Sequence, residues 1–399
     1  MSLTPLKRVA RVSYGLAQPP LQTDGGIPII RATNIFRGRI VSDGLISASI
    51  NDLPLDRAPL LSAGEILVVR SGAYTGDSAI ITDVWAGSAP GYDLRVTPTR
   101  ADPRYLAWAL LGDHVKQQVD LAKSRAAQPH LNAEELAEVL VYLPEAALQS
   151  EVANFLDIET TRIDTLIEKK QEVIELLEGR RVAVTVDAVG NPEWARVKLT
   201  LLARLGSGHT PSRERSDWWD NPTIPWVTTA DIAQMRGDRL EFIEKSKLSI
   251  SKLGLANSAA ELHPAGTVVL SRTASVGFSA IVARPMATSQ DFATWTCGLK
   301  LRPRFLLLCL RAMRSELLGR LAMGSTHKTI YMPDIEGIRI PLPLLEEQDR
   351  VVREVWVRLR PIDAAITAVE RQIDLLREHR QALITAAVTG QLNVSKAAA

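Results

Sequence analysis

Cysteine is almost absent from the 399-residue chain: Cys297 and Cys309 are the only two. They belong to no spaced Cys/His set, which excludes a zinc ribbon and a disulfide framework and fits a reducing cytoplasm. The six histidines are scattered singly, so no metal site can be read. Long apolar runs are missing too. No stretch of about 18 apolar residues occurs, and the opening MSLTPLKRVARVSYG lacks a signal-peptide core, so an intracellular protein without membrane contact is expected. Catalytic signatures are also lacking. Asn191-Pro192-Glu193 and Asn221-Pro222-Thr223 fail the Asn-Pro-Pro-aromatic pattern of methyltransferases, and no GxxxxGK[ST] loop is present to cradle a phosphate. Glu168 and Lys170 have the spacing of a nuclease half-motif but fall on a helical pattern, where they read as a solvated face. No catalytic residue is assigned.

The chain does contain a copy of itself. The run Leu342 to Thr389 repeats, without a gap, a run 199 positions earlier: Pro343 falls on Pro144, Gln348 on Gln149, Ile362 and Asp363 on Ile163 and Asp164, Leu375 and Leu376 on Leu176 and Leu177, and Arg380 on Arg181. In the later copy Val355, Leu359, Ile362, Ile366, Val369, Ile373, Leu376 and Leu383 are spaced by alternating steps of four and three, with Arg380 at the one polar step. This is the narrow seam of a coiled coil. The earlier copy keeps the phase with Leu156, Ile163, Ile167, Ile174, Leu177 and Val184, and Thr160 and Lys170 weaken it. Two equivalent narrow stripes in one chain are expected to bury each other, whereas a helix lying on its own globular neighbour needs a broader apolar face. Pro361 predicts a kink or a fresh helix start inside the later copy.

The intervening stretches repeat as well. ARLGSG (Ala203 to Gly208) echoes ARVSYG (Ala10 to Gly15), IPWVTTADI (Ile224 to Ile232) echoes IPIIRATNI (Ile27 to Ile35), and GTVVLSRTASVGFSAI (Gly266 to Ile281) echoes GEILVVRSGAYTGDSAI (Gly64 to Ile80). Short apolar runs at Ile27 to Ile30, Glu65 to Val69 and Ala79 to Ile81, punctuated by Gly and Pro, predict strands. Helices are expected over Tyr105 to Leu121 and Phe305 to Leu321, each followed by a polar loop. The net charge of +2 hides an uneven distribution. Basic and acidic residues balance over 1–143 and beyond 342, but 144–190 carries five basic against ten acidic residues, and 191–342 carries twenty against thirteen.

IPLPLLEEQ (Ile340 to Gln348), IDAAI (Ile362 to Ile366) and RQALITAAVTG (Arg380 to Gly390) together resemble the helical spacer regions of type I restriction-modification specificity subunits. The earlier copy, LPEAALQSEVANFLDIETTRIDTLIEKK (Leu143 to Lys170), resembles the central spacer of that family, and the resemblance covers essentially the whole chain. Two departures stand out. Glu145, Ala146 and Ala147 replace the Leu344, Leu345 and Glu346 of the later copy, and Gly179 interrupts the first helix at about 1 kcal/mol relative to Ala. The expected fold is α+β: target-recognition domains at 1–143 and 191–342, spacer helices at 144–190 and 343–390, and a tail at 391–399. The helices are expected to pack as an antiparallel coiled coil with pseudo-two-fold symmetry. The resemblance implies a prokaryotic cytoplasmic subunit with no chemistry of its own, which binds double-stranded DNA and holds two modification subunits. Restriction subunits join in the full enzyme. S-adenosylmethionine, and ATP with Mg, belong to those partners.

Reading DNA requires Arg, Lys, Asn, Gln, Ser and Thr on loops, because base edges are read by hydrogen bonds and phosphates by charge. The loops after the two helices supply Arg125, Gln128 and His130 in the first half and His327, Lys328, Thr329 and Tyr331 in the second. Arg31, Thr33 and Asn34, opposite Thr228 and Thr229, form a second set. Arg70, Ser71 and Tyr74, with Arg272, Thr273 and Ser275, form a third. Each of these also fits an ordinary turn role. Trp218, Trp219 and Trp226 could stack on bases, but beside the apolar IPWV run they read as core. The competing functions are a protein scaffold that never touches nucleic acid and an enzyme of unrecognised motif. Salt separates the first of these from DNA reading: phosphate contacts release counterions, so DNA affinity of the assembled complex is expected to fall steeply between 50 and 200 mM salt in a titration, whereas a scaffold shows no such slope.

Overall fold

The computed structural model describes residues 2–18, 20–123, 130–322 and 328–397. Arg125, Gln128 and His327 lie outside them. The chain divides into two compact units, one made of residues 1–169 with 372–399 and the other of residues 170–371. Among the described residues no helix is long and apolar enough to cross a membrane.

In the first unit an antiparallel sheet has the order Ala10–Tyr14, Leu94–Pro98, Ile66–Val68, Ser78–Ile80. Ile66 to Val69 are all buried because both faces of this strand are covered. Ile66 and Val68 face a core containing Leu106 and Leu110, while Leu67 and Val69 face a second core with Ile30 and Ile81, as strand alternation requires. A smaller sheet joins Ile46–Ala48, Ile27–Ile30 and Ala89–Pro90. The helix expected over Tyr105 to Leu121 is in fact two, Pro103–Leu110 and Asp113–Lys123. Asp102 caps the first by accepting from the N–H groups of Arg104 and Tyr105, with Pro103 in its first turn. The break falls at Gly112, where an added Cβ would lie 2.9 Å from His114 and 3.1 Å from Val388.

The second unit repeats this plan with a fifth strand: Ala203–Ser207, Phe292–Cys297, Val268–Ser271, Ser279–Val282, and then Phe242–Ile243 running parallel to its neighbour. Its small sheet joins Leu248–Ile250, Ile224–Val227 and Ala287–Thr288. The second expected helix is likewise interrupted. Pro303–Ala312 is followed by Arg314–Glu316 and a π-turn at Leu317–Leu321.

Two long helices, Ala146–Val189 and Leu345–Thr389, each contribute to both units. The expected seam residues are buried or half-buried, but not against the other helix alone: Leu156 shares a core with Tyr105 and Leu111, and Val355, Leu359, Ile362 and Ile366 share one with Phe305 and Leu306. Leu156, Ile163, Val184, Val355, Leu359, Ile362, Ile366 and Ile373 are buried, and Ile167, Ile174, Leu177, Val369 and Leu376 are half-buried. Near the C-terminal end Ile384 is the fully buried residue rather than Leu383. Thr160, expected to weaken the seam, is buried and satisfies its hydroxyl on the Leu156 carbonyl at 2.6 Å. Pro361 does not restart the helix, which runs through it unbroken. It lies on an exposed face, and the carbonyl deprived of its donor belongs to Val357, itself exposed, where water can take the donor's place.

The polar steps of the two copies make matching ion pairs. In the first unit Arg380 Nε lies 3.0 Å from Asp164, and in the second Arg181 Nε lies 2.7 Å from Asp363. The same arginines donate onward to backbone carbonyls, Arg380 to Arg37 and Arg181 to Asp238. The repeated glutamines are equivalent as well. Gln149 donates to the Pro144 carbonyl and accepts from the Asp102 N–H, and Gln348 does the same with Pro343 and Arg302. Both arginines are buried, so losing one partner strands a charge. Asp363→Leu is expected to cost about 3 kcal/mol, and Arg181→Met combined with Asp363→Leu to recover most of it; chemical denaturation of the three proteins measures this.

Candidate nucleic-acid interface

In the first unit the buried strand ends at Arg70, and the chain turns through Ser71 to Gly76 before entering the next strand. Gly72 and Gly76 supply the two positive φ values, both 94°. The segment at 130–131 returns alongside: Leu131 donates its N–H to the Arg70 carbonyl at 2.9 Å, and Ser71 bridges His130. Arg70 and His130, chosen from different loops of the sequence, therefore meet. The guanidinium of Arg70 lies over two aromatic rings, 4.6 Å from the Tyr14 centroid and 4.5 Å from that of Tyr92. It donates to His130 Nε2 at 3.1 to 3.3 Å, which makes that nitrogen an acceptor. Such a stack holds the guanidinium plane fixed and leaves Nη1 free of any hydrogen bond among the described residues.

Beneath this stack lies Asp93, which accepts the backbone N–H groups of Arg70 and Ala32. Burial pushes its carboxyl up to about 6 against the opposing pull of those N–H bonds and of Arg70. Asp93 thus ties the Arg70 loop to the loop carrying Arg31, Thr33 and Asn34. Asn34, a candidate reader, is instead wholly buried. It accepts from the Arg31 N–H and donates to the carbonyls of Val41 and Asp43, so it builds the loop and does not face solvent. Arg31 is half-buried with one nitrogen on the Gly44 carbonyl, whereas Thr33 and Tyr74 are exposed.

The second unit has the same junction with different side chains. Ile330 donates to the Arg272 carbonyl at 2.8 Å, and Thr273 bridges Thr329. Among the described residues no aromatic ring stacks on Arg272. Its Nε donates to the Gln290 carbonyl at 2.9 Å, and the Gln290 side chain in turn accepts from Thr210. Lys328, Thr229 and Tyr331 are exposed, and Thr273, Ser275 and Thr329 are half-buried. Thr228 is buried as the cap of a short turn, with its N–H on Asp231, and is no surface reader. Trp226 is core as expected. Trp218 and Trp219 are only half-buried, and Arg215 and Arg213 lie over their faces at 5.2 and 5.4 Å. Sequence reasoning missed Tyr14, Tyr92 and Asp93 in the first unit and Arg213, Arg215 and Gln290 in the second. The usable signal for Tyr14 was its place at the end of the repeated ARVSY run. Among the described residues no group of three His, Cys, Asp or Glu is placed to hold a metal.

The family model described as type I restriction modification DNA specificity domain matches residues 14–176 and again 191–376. The chain is 26% identical over 161 residues to the type I restriction enzyme MjaIX specificity subunit of Methanocaldococcus jannaschii, covering 40% of this chain and 36% of that one. It is 22% identical over 235 residues to the EcoR124I/EcoR124II specificity subunit of Escherichia coli, covering 57% and 56%. The chain therefore aligns with only about a third to just over half of those relatives' lengths. A solved chain from a study of complex assembly and conformational transition of the type I R-M system shares the fold at a TM-score of 0.72 and 19% identity, over 98% of both chains.

Because Asp93 has a raised native value and an ordinary one of 3.8 when unfolded, the native state holds a proton that the unfolded chain releases between about pH 4 and 6. Its stabilising contribution is present below that window and is lost as pH rises through it, by up to about 3 kcal/mol. Asp93→Asn removes the loss, so denaturation at pH 4.5 and 6.5 is expected to show the variant gaining on the parent as pH rises. A constant difference would mean that Asp93 is ionised throughout.

Proposed function

Since this chain belongs to the type I restriction modification DNA specificity family, matched once in each half, we propose that it is the DNA sequence-recognition subunit of a prokaryotic, cytoplasmic type I complex. The observation that carries the reading is the repeated loop junction. Arg70 with His130, and Arg272 with Thr329, occupy equivalent places in the two matched stretches and differ in what holds the arginine, two tyrosines and a histidine in the one and the Gln290 carbonyl in the other. Equivalent frames with unlike readers suit a bipartite, asymmetric DNA site whose halves differ in sequence. Arg70, Ser71, Tyr74, His130, Arg31 and Thr33 read one half, together with Arg125 and Gln128. Arg272, Thr273, Ser275, Lys328, Thr329, Tyr331 and Thr229 read the other, together with His327. Phosphate contacts position the chain and base edges supply the discrimination.

The long helices act as an antiparallel, pseudo-two-fold coiled coil that sets the half-site spacing. At 1.5 Å per residue the 44-residue helix is about 66 Å long against about 34 Å for a turn of DNA, so half-site centres fall between one and two turns apart. The coil also docks two modification subunits. Ile158 and Leu176 on the first helix, and their equivalents Val357 and Leu375 on the second, are all more than half exposed. Each pair is spaced by five helical turns and so falls on one stripe. Leu166 and Val173 add apolar surface off the seam. A duplicated exposed apolar stripe fits two copies of one partner. Methyl transfer with S-adenosylmethionine, and ATP- and Mg-dependent cleavage where restriction subunits join, are the work of those partners.

The test is co-expression with a modification subunit followed by mapping of methylated bases. Replacing residues 191–342 with the matching segment of a relative is expected to change one half of the methylated sequence and leave the other intact. A change in both halves would contradict two independent readers, and methylation by this chain alone would make it an enzyme.

A further inference from the structure

The two units differ at one sheet edge. In the second unit the chain leaves the Asp238 carbonyl, bonded by the helix arginine, and passes through Arg239 and Leu240 before Glu241 to Ile243 settle along the strand Ser279–Val282. Ile281 donates there to Glu241 and Ala283 to Ile243. Phe242 packs into the core beside this edge, with Arg304 over its ring at 5.4 Å and also bonded to Glu241. In the first unit the corresponding path is two residues shorter. The Arg37 carbonyl takes the helix arginine, and the very next residue, Gly38, meets the edge at Ser78 and Ala79. Arg39, which occupies the place of Phe242 in this register, turns instead to Asp164 at 2.7 Å.

With the Arg39 side chain turned away, no aromatic from that segment enters the space among the described residues. A cleft of about 660 Å³ opens there, walled by Ile80, Pro103, Ala107 and Trp108 and rimmed by Arg39 and Arg104. Asp157 and Thr160 line it where the second copy has the larger Trp356 and Leu359, and Trp108 walls it where the second copy has Leu308. Arg104, the equivalent of Arg304, is half-exposed, and its guanidinium bonds Asp157.

We propose that this cleft is a docking site for an extended segment of another protein, anchored by an aromatic side chain that follows an acidic residue. The second unit is the template for the side chains alone, since Gly38 already holds the strand edge in the first: Phe242 fills the equivalent space from within the chain, with Glu241 on the rim arginine and the ring beneath that arginine. The site is separate from the DNA-reading junction and does not rest on that function.

The test is fluorescence anisotropy with the intact chain, free of DNA, and a labelled peptide Leu-Glu-Phe-Ile-Glu taken from the second unit. Saturable binding is expected. It should weaken at least tenfold when the peptide's Phe becomes Ala, and likewise in the variants Arg104→Glu and Thr161→Trp. Thr161 is an exposed helix position on the cleft wall, so the larger ring blocks the mouth without touching the core. Unchanged melting temperatures establish that the variants fold. Absence of binding at millimolar peptide overturns the proposal, as does binding that survives both variants. Displacement of the peptide by free phenylalanine at equal concentration would also overturn it, because the site would then be one for small aromatics.

Discussion

An arginine cannot be buried in a helix seam unless an acid and a hydrogen-bond acceptor are waiting for it, and this requirement shapes both halves of the molecule. Arg380 meets Asp164 and the Arg37 carbonyl, and Arg181 meets Asp363 and the Asp238 carbonyl. Each arginine and its aspartate come from different long helices. The apolar steps on either side tolerate small slips at modest cost. A slip of one residue at the polar step would separate a buried charge from its partner, a loss of several kcal/mol. The pair therefore fixes the helix register, and the onward bond to a loop carbonyl fixes the globular part against the helix within the same unit.

Much of this was legible in the residues. The gapless 199-residue offset carries seam, Gln and Asp/Arg positions together, and the structure uses the glutamines and the Asp/Arg pairs in the same way. What stayed hidden depends on contacts between distant segments. Nothing near Gly112 marks a helix break until His114 and Val388 are seen beside it. Pro361 carried a true local rule, but an exposed face gives water access to the freed carbonyl and the helix continues. Asn34 and Thr228 illustrate the opposite failure. The residue types that read bases are also those that satisfy turns, and only burial tells the two uses apart.

The candidate interface was half legible for a similar reason. The loops were found because they are polar and repeated, yet the stack of Tyr14, Arg70 and Tyr92 joins residues from three separate strand ends. The second unit holds its arginine with a glutamine carbonyl, and among the described residues no aromatic ring stacks on it. One backbone junction thus supports two unlike ways of orienting a guanidinium. A duplicated frame can diverge at its exposed loops in this way while its Gln and Asp/Arg positions are kept.

That each unit draws on both long helices also governs the order in which the protein can be completed. Val152, Ala153 and Leu156 share their core with Ile384, Ala387 and Val388, which are synthesised more than 200 residues later. At roughly 5 to 20 residues per second, the ribosome leaves that apolar face uncovered for about 11 to 47 s. The second unit, by contrast, is contiguous from 170 to 371 and can close as it emerges. The unit begun first is therefore the one finished last, and through that interval it depends on the cell to keep its unfinished face from other chains.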